Sequence, residues 1–164
     1  MKHSSRISIV ILLLAISFTA CKEDIYTDWK IKNTQWLENN KTQPGVITTA
    51  SGLQYKVIYQ GWHLNRKPNK NSIVKVNYTG KLIDGTGFDA STEPVFLDLA
   101  QVVKGWQEGL TKMNDGGNYI LYVPSTLGYD TISTNPKIPP HSTLIFDIEL
   151  IKSTDDEDDP IFFL

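Results

Sequence analysis

Apolar and polar residues alternate in several segments of the chain, which is the pattern of half-buried β-strands. The segments are residues 53–60, 74–78, 119–123 and 144–151. Asp84-Gly85 is a strong hairpin signal, and Phe88 follows it in a further predicted strand. The pattern therefore predicts a sheet of several antiparallel strands.

One segment has helical periodicity instead. Trp106, Leu110 and Met113 occupy positions i, i+4 and i+7, which lie on one face of a short helix. Gly105 before them and Gly116-Gly117 after them are the expected helix boundaries. The predicted fold class is therefore α+β, with a sheet that buries one face on this helix.

Two regions lack a clear pattern. Residues 124–140 form a long irregular loop, and loops of this length are usually functional or disordered. Residues 23–43 are polar, but Trp29 and Trp36 lie seven positions apart, which is typical of a short amphipathic helix. That helix either packs on the domain or serves as a spacer, and Pro44-Gly45 ends it.

The N-terminus has the composition of a bacterial lipoprotein signal peptide. Lys2 and Arg6 precede an almost purely apolar run at 7–20, which suits a signal peptide and is short for a membrane span. Cys21, the only cysteine of the chain, follows directly, and residues 18–21 resemble a lipobox. We expect lipidation of Cys21, with an uncleaved membrane anchor as the alternative. A single cysteine permits no intrachain disulfide.

These features divide the chain into four parts. We predict a signal peptide at 1–20, an anchored N-terminal segment at 21–48, one folded domain at 49–153 and an acidic tail at 154–164. The tail contains the run DDEDD, and such runs repel themselves and usually stay disordered. Lipidation would place the domain outside the cytoplasm, anchored in the cell envelope. The outer membrane is the expected location. Lys-Glu-Asp after Cys21 resembles the surface-export signals of some Gram-negative groups, and the start of a solvated linker is the equal alternative.

Composition excludes several classes of function. The net charge is -2, which gives no electrostatic argument for nucleic-acid binding. The sequence contains no GxSxG, Walker, GxGxxG or HExxH motif, and no His, Asp, Glu or Cys cluster has metal-ligand spacing. Aromatic residues near irregular segments favour a shallow apolar pocket instead. No cofactor or metal is expected.

Three stretches together resemble the signature motifs of the FKBP family, the prolyl isomerases that bind tacrolimus and rapamycin. They are VKVNYTGKLIDGTGFDAS at 74–91, QVVKGWQEGLTKM at 101–113 and IPPHSTLIFDIEL at 138–150. The resemblance covers residues 50–152. It implies a strongly twisted antiparallel β-sheet wrapped around one short α-helix, with a pocket between them.

The resemblance also implies roles for individual residues. Trp106 corresponds to the floor beneath the proline ring, Tyr129 to a hydroxyl donor, and Val103 to a backbone N–H that meets a ligand carbonyl. Asp89 corresponds to a buried carboxylate beside the pocket. The implied catalytic residues are Asp89, Tyr129, Trp106 and Phe88, and the implied substrate-binding residues are Tyr78, Val102, Val103, Ile138 and Phe146. Without the motifs, an aromatic residue on the inner face of a strand is usually part of the core.

The rim of the pocket departs from the family pattern. Asp130 stands where glycine is frequent, residues 131–137 lack the usual glycines, and Val95 replaces a frequent aromatic. These differences concern the catalytic rate and the sequence preference rather than the pocket itself.

The function implied is a peptidyl-prolyl cis-trans isomerase that acts on exported proteins by stabilising a twisted amide noncovalently. Its expected partners are proline-containing polypeptides, the membrane through lipidated Cys21, and tacrolimus- or rapamycin-like macrolides. One alternative is a non-catalytic module that binds proline segments or acts as a chaperone in a cell-envelope complex. Another is an accessory lipoprotein that acts through its acidic tail or through residues 23–43.

Overall fold

The computed structural model describes residues 25–62 and 67–155. Its helices are α1 at Thr27–Asn40 and α2 at Lys104–Leu110, and short 3-10 helices lie at Leu99–Gln101 and Ser125–Leu127. Its strands are β1 at Val46–Thr48, β2 at Gln54–Tyr59, β3 at Ile73–Lys81, β4 at Gly87–Ala90, β5 at Val95–Asp98, β6 at Gly117–Val123 and β7 at Leu144–Thr154.

All strand pairs in the described part of the chain are antiparallel. The strand order is β1-β2-β6-β7-β3-β4, and β5 also pairs with β3. On β7, Phe146 lies opposite Gly80 of β3 and Leu121 of β6. The predicted α+β class with an antiparallel sheet is therefore confirmed.

Helix α2 lies close against the inner face of the sheet because glycines face strand β6. A Cβ atom on Gly105 would come within 2.4 Å of the Val123 side chain, and one on Gly109 within 2.5 Å of Leu121. Trp106 and Leu110 are both buried in the core beneath the helix. Burial of such large side chains stabilises the fold by about 1.5–3 kcal/mol each.

The predicted boundaries of this helix were wrong. Gly105 lies inside α2 rather than before it, and the helix ends at Leu110. Met113 belongs to the following turn, where its N–H donates to the Leu110 carbonyl at 3.0 Å, and its side chain is fully buried. Gly105 serves close packing against the sheet rather than helix termination, which the sequence pattern alone does not distinguish.

Helix α1 packs on the outer face of the sheet. The Trp36 ring lies 5.6 Å from the ring of Tyr122 on β6. Asn40 Nδ2 donates to Gln54 Oε1 on β2 at 2.8 Å, and Gln54 Nε2 donates to the Leu37 carbonyl at 2.9 Å. The segment therefore packs on the domain, which decides between the two alternatives that the sequence left open.

Several sequence predictions fall at the edges of the described residues. The predicted signal peptide, Cys21 and residues 156–164 lie outside them. Strand β1 begins at Val46, before the predicted domain start at 49, and the domain boundaries stay predictions. Within 25–62 and 67–155, no helix is both long and apolar enough to cross a bilayer.

Candidate functional site

A cavity of about 240 Å³ opens beside Trp106 of α2, and strands β3, β4, β5 and β7 contribute to its lining. Most of the residues that the resemblance placed in a pocket line it. They are Tyr78, Asp89, Val102, Val103, Trp106, Tyr129 and Phe146. Leu97 and Gln101 complete the lining.

The deepest part of the site is a cluster of interlocked aromatic rings. Trp106 is 4% exposed, and Tyr78 and Phe146 meet it edge-on, each with ring centroids 5.1 Å apart. The interplanar angles are 89° and 88°. Edge-to-face pairs place the positive edge of one ring against the negative face of another, which stabilises the geometry beyond simple burial. The cavity therefore has a rigid aromatic floor.

Two predicted residues, Phe88 and Ile138, do not line the cavity. Phe88 packs its ring on Phe146 with centroids 5.4 Å apart, and Gly80 leaves room for it, because a Cβ there would lie 2.7 Å from the Phe88 ring. Ile138 is 5% exposed and belongs to the hydrophobic core. Their direct roles in catalysis and binding stay predictions, and in this structure Phe88 supports the lining residue Phe146.

Tyr78 and Asp89 form a hydrogen-bonded pair at one wall. Tyr78 Oη donates to Asp89 Oδ2 at 2.8 Å. The expectation of a buried carboxylate was wrong, since Asp89 is exposed. Burial, and then the hydrogen bond and negative charge of Asp89, raise the pKa of Tyr78 to about 12. Tyr78 therefore stays protonated at neutral pH and keeps its hydroxyl as a donor.

The segment before α2 presents a fixed backbone donor. The Val103 carbonyl accepts hydrogen bonds from the N–H groups of Trp106 and Gln107 at 2.9 and 3.1 Å. Gln107 Nε2 also donates to the Val102 carbonyl at 2.9 Å. No hydrogen bond among residues 25–62 and 67–155 uses the Val103 N–H itself. This donor, at a lining residue, can therefore meet a carbonyl of a bound peptide.

Two lining residues were missed by the sequence reading. Leu97 lies on β5, a strand that the alternation did not predict because it is short and contains Phe96 at an exposed position. Gln101 ends the 3-10 helix before Val102. Its place in the QVVKGW stretch was the only available signal, since it directly precedes two residues that were assigned to the pocket.

The rim loop, residues 124–143, carries Tyr129 at the mouth of the cavity, where its side chain is 40% exposed. The loop is closed at its neck by Asp130 and His141, because the His141 N–H donates to the Asp130 carbonyl at 2.7 Å. Both residues have left-handed backbone conformations, with φ of 50° and 64°. Further along, Asn135 Nδ2 donates to the Phe88 carbonyl at 3.2 Å. The loop is therefore closed on itself at its neck and is joined to strand β4 through Asn135.

Titratable groups in the described residues give no sign of metal chemistry. No group of three or more His, Cys, Asp or Glu side chains there has an arrangement that could hold a metal ion. What the site offers is an apolar aromatic surface, one fixed backbone N–H and the Tyr129 hydroxyl, since the Tyr78 hydroxyl already donates to Asp89. Such a set can bind a short peptide and polarise its carbonyl groups, but it contains no nucleophile–base pair.

Two family models match the sequence. One is described as FKBP-type peptidyl-prolyl cis-trans isomerase and matches residues 64–151. The other is described as the domain amino terminal to FKBP-type peptidyl-prolyl isomerase and matches residues 12–57, which include α1. The two matches leave only a short gap around the end of β2.

Similar proteins carry the same description. A probable FKBP-type peptidyl-prolyl cis-trans isomerase FkpA of Neisseria meningitidis is 45% identical over 126 residues, which are 75% of this chain and 46% of the relative. The outer membrane protein MIP of Legionella longbeachae is 42% identical over 125 residues, 74% of this chain and 53% of the relative. The chain thus spans about half the length of these curated relatives.

A solved structure matches over nearly its full length. The crystal structure of a peptidyl-prolyl cis-trans isomerase from Pseudomonas syringae pv. tomato superposes with a TM-score of 0.73 at 33% identity. The match covers 79% of this chain and 96% of that chain. The two proteins therefore share the fold and about a third of their matched residues.

Proposed function

The chain belongs to the family of FKBP-type peptidyl-prolyl cis-trans isomerases, and we propose on this premise that it accelerates cis–trans rotation about X–Pro bonds. The observation that carries the proposal is the cavity floored by Trp106, with edge-on aromatic walls and a fixed Val103 N–H at its lining. Its volume of about 240 Å³ suits a proline ring and the amide that precedes it. Proline-containing polypeptides are the proposed substrates.

The reaction that such a cavity must catalyse is a rotation. An X–Pro bond isomerises over tens to hundreds of seconds unaided, because amide resonance opposes rotation by about 18–20 kcal/mol. No covalent bond breaks, so the protein needs neither a nucleophile nor a proton acceptor. It needs only to bind the twisted amide better than the planar one.

The described residues supply three contributions of that kind. The apolar floor at Trp106 and Phe146 disfavours the charge-separated planar amide, since polar solvent is what stabilises that form. The Val103 N–H fixes a carbonyl of the substrate, and the Tyr129 hydroxyl donates to the peptide at the rim. Each 1.36 kcal/mol removed from the barrier gives a tenfold higher rate, so a few such contacts suffice for useful catalysis.

A kinetic comparison of two tyrosine variants tests this proposal. The whole chain, purified in detergent, is assayed for cis-to-trans conversion on a panel of short X–Pro peptides. Tyr129→Phe should lower kcat/KM by about tenfold, the size of one lost hydrogen bond to the reacting peptide. Tyr59→Phe is the matched control, because Tyr59 is also exposed, at 54%, and does not line the cavity. A well-folded wild type without any acceleration would contradict the proposal and turn attention to non-catalytic binding.

The same cavity is our proposed site for tacrolimus- and rapamycin-like macrolides. These ligands would occupy the cavity in place of a proline segment, so they should compete with X–Pro peptides. Tacrolimus should inhibit the isomerase rate of the wild type, and its binding, measured by calorimetry, should be lost in Trp106→Ala. Binding that persists in Trp106→Ala would place the macrolide elsewhere.

We also propose that the protein acts in the cell envelope, held to a membrane by a lipid on Cys21. The apolar run before Cys21 supports this, and one relative bears the name outer membrane protein MIP. Cells grown with an alkyne-labelled fatty acid should yield a labelled protein in the membrane fraction. Cys21→Ala should abolish the label and release the protein from that fraction, whereas labelling that persists would contradict the anchor.

A further inference from the structure

Helix α1 carries a buried polar side chain that the proposed reaction does not use directly. Asn33 is 2% exposed. Its Oδ1 accepts a hydrogen bond from the backbone N–H of Thr143 at 2.7 Å, and its Nδ2 donates to the Trp29 carbonyl at 2.8 Å. Thr143 is the last residue of the rim loop before β7 begins. The side chain of Asn33 therefore joins the outer helix to the end of the loop that carries Tyr129.

A second contact from the same helix reaches the same place. Trp29 Nε1 donates to Ser142 Oγ at 2.9 Å, and Ser142 Oγ donates to the Pro139 carbonyl at 2.6 Å. Both Ser142 and Thr143 are buried, at 3% and 1% exposure. Two adjacent loop residues are thus fixed by two side chains one turn apart on α1.

These contacts continue through the backbone to the cavity. Next to Ser142 is His141, whose N–H donates to the Asp130 carbonyl at 2.7 Å, and Asp130 directly follows Tyr129. On the other side, the Asp130 N–H donates to the Ser125 carbonyl at 2.8 Å. The path from Asn33 to Tyr129 consists of hydrogen bonds and adjacent residues, without an unrestrained segment between them.

We propose that Asn33 is a positioning residue for the isomerase site: by fixing Thr143, it sets the position of the Tyr129 hydroxyl at the cavity mouth. The expected change in kcat rests on the proposed function, whereas the expected change in hydrogen exchange rests only on the hydrogen-bond path. Asn33 touches no substrate and acts only through the loop.

The other end of α1 provides a matched comparison. Asn40 is also a buried asparagine of this helix, at 8% exposure, but its amide bonds Gln54 on β2 and does not contact the rim loop. A general effect of loosening α1 should therefore appear in Asn40→Ala as well as in Asn33→Ala. A positioning effect should appear in Asn33→Ala alone.

The experiment combines amide hydrogen exchange with kinetics on the whole chain in detergent. Asn33→Ala should speed exchange across residues 129–143 by about tenfold or more and lower kcat on X–Pro peptides by about tenfold, with little change in KM. Asn33→Asp keeps the oxygen that accepts from Thr143 but loses the donor to the Trp29 carbonyl and buries a charge, so it should restore slow exchange and kcat only in part. Asn40→Ala should leave both quantities at 129–143 near wild type.

The proposal is overturned if exchange at 129–143 is unchanged in Asn33→Ala, if Asn40→Ala has an equal effect, or if exchange rises without any fall in kcat. Should Asn33→Ala fail to fold, Trp29→Phe removes the indole donor to Ser142 together with part of the ring and tests the same path. Should the wild type prove inactive, the proposed function fails. The exchange comparison then still decides whether Asn33 holds the loop, because that measurement needs no turnover.

Discussion

The floor and the rim of the cavity are built in different ways. The floor consists of rings on three regular elements, with Trp106 on α2, Tyr78 on β3 and Phe146 on β7. The rim consists of an irregular loop in which Tyr129 is 40% exposed and the neck residues have left-handed conformations. The floor is held by core packing, which opposes unfolding, whereas the rim is held by a few polar contacts. Stability and activity should therefore change together at the floor and separately at the rim.

The largest effect is expected at the floor itself. Trp106→Ala removes a buried ring in contact with two others and should lower the free energy of unfolding by about 3–5 kcal/mol, with loss of measurable isomerase activity. Urea denaturation followed by circular dichroism measures the first quantity. A loss below about 1 kcal/mol would show that the floor is not part of the core and would remove the contrast with the rim.

A smaller loss of stability should follow from a displacement of helix α2, which carries Trp106. Gly105→Ala puts a methyl group within 2.4 Å of Val123, so α2 must shift, and overpacking of this kind costs about 1–3 kcal/mol. Gly87→Ala is the control, because nothing lies within 4 Å of a Cβ atom at that position. Equal thermal stability of the two variants would show that α2 does not depend on close approach to β6.

Tyr78 should make the free energy of unfolding depend on pH in the alkaline range. In the folded protein the pKa of Tyr78 is about 12, against 10.0 for the free side chain, so the unfolded chain loses this proton first. The stabilisation is complete below about pH 10 and is lost as the pH rises towards 12. The free energy of unfolding of the wild type should therefore fall relative to that of Tyr78→Phe as the pH rises from 9 to 12.

Other buried tyrosines contribute to the same fall, since burial also raises the pKa of Tyr119 and Tyr122. Only the difference in the free energy of unfolding between wild type and Tyr78→Phe isolates the contribution of the Tyr78 hydroxyl. Tyr59→Phe serves as the comparison at an exposed position. A difference between Tyr78→Phe and wild type that stays constant from pH 9 to 12 would contradict the raised pKa.

The smallest effect is expected at the neck of the rim loop. Asp130 has φ of 50°, a conformation that glycine adopts more easily, so Asp130→Gly should stabilise the protein slightly, by about 0.5 kcal/mol. Thr131→Gly, next to it and without a positive φ, should destabilise it by about 0.5–1 kcal/mol. Calorimetry that shows the same sign for both variants would exclude strain at Asp130.

The floor could be predicted from the sequence because Tyr78 and Phe146 lie in strands with clear alternation, Trp106 lies in a segment of helical periodicity, and all three lie within recognisable motifs. Trp106, Tyr78 and Phe146 line one cavity in the structure, and their roles in binding stay predictions. The exposure of Asp89 could not be predicted, since it depends on how far the following loop covers the strand. Leu97 was missed because four residues of β5 are too few for a periodic signal.

The outer helix was harder to predict for a different reason. Its inward face carries Trp29, Asn33, Trp36 and Asn40, so half of that face is polar and hydrophobic periodicity is weak. The asparagines are buried because each finds a partner in the domain, and partners distant in sequence are invisible to pattern analysis. One sequence signal indicated that a further element covers the outer face of the sheet. Tyr122 and Ile145 are apolar residues at outward positions of β6 and β7.

The closed neck of the rim loop has a practical consequence for protein engineering. Because one backbone hydrogen bond of 2.7 Å joins Asp130 to His141, the segment between them starts and finishes at nearly the same point of the scaffold. Segments of other lengths can be grafted between these two anchors at little entropic cost, since closure entropy grows only slowly with loop length. Within residues 131–140, Ile138 belongs to the core and Asn135 bonds the Phe88 carbonyl, so these two are kept. The other positions form an exchangeable cassette, in which a library could retune peptide selectivity while the aromatic floor is left untouched.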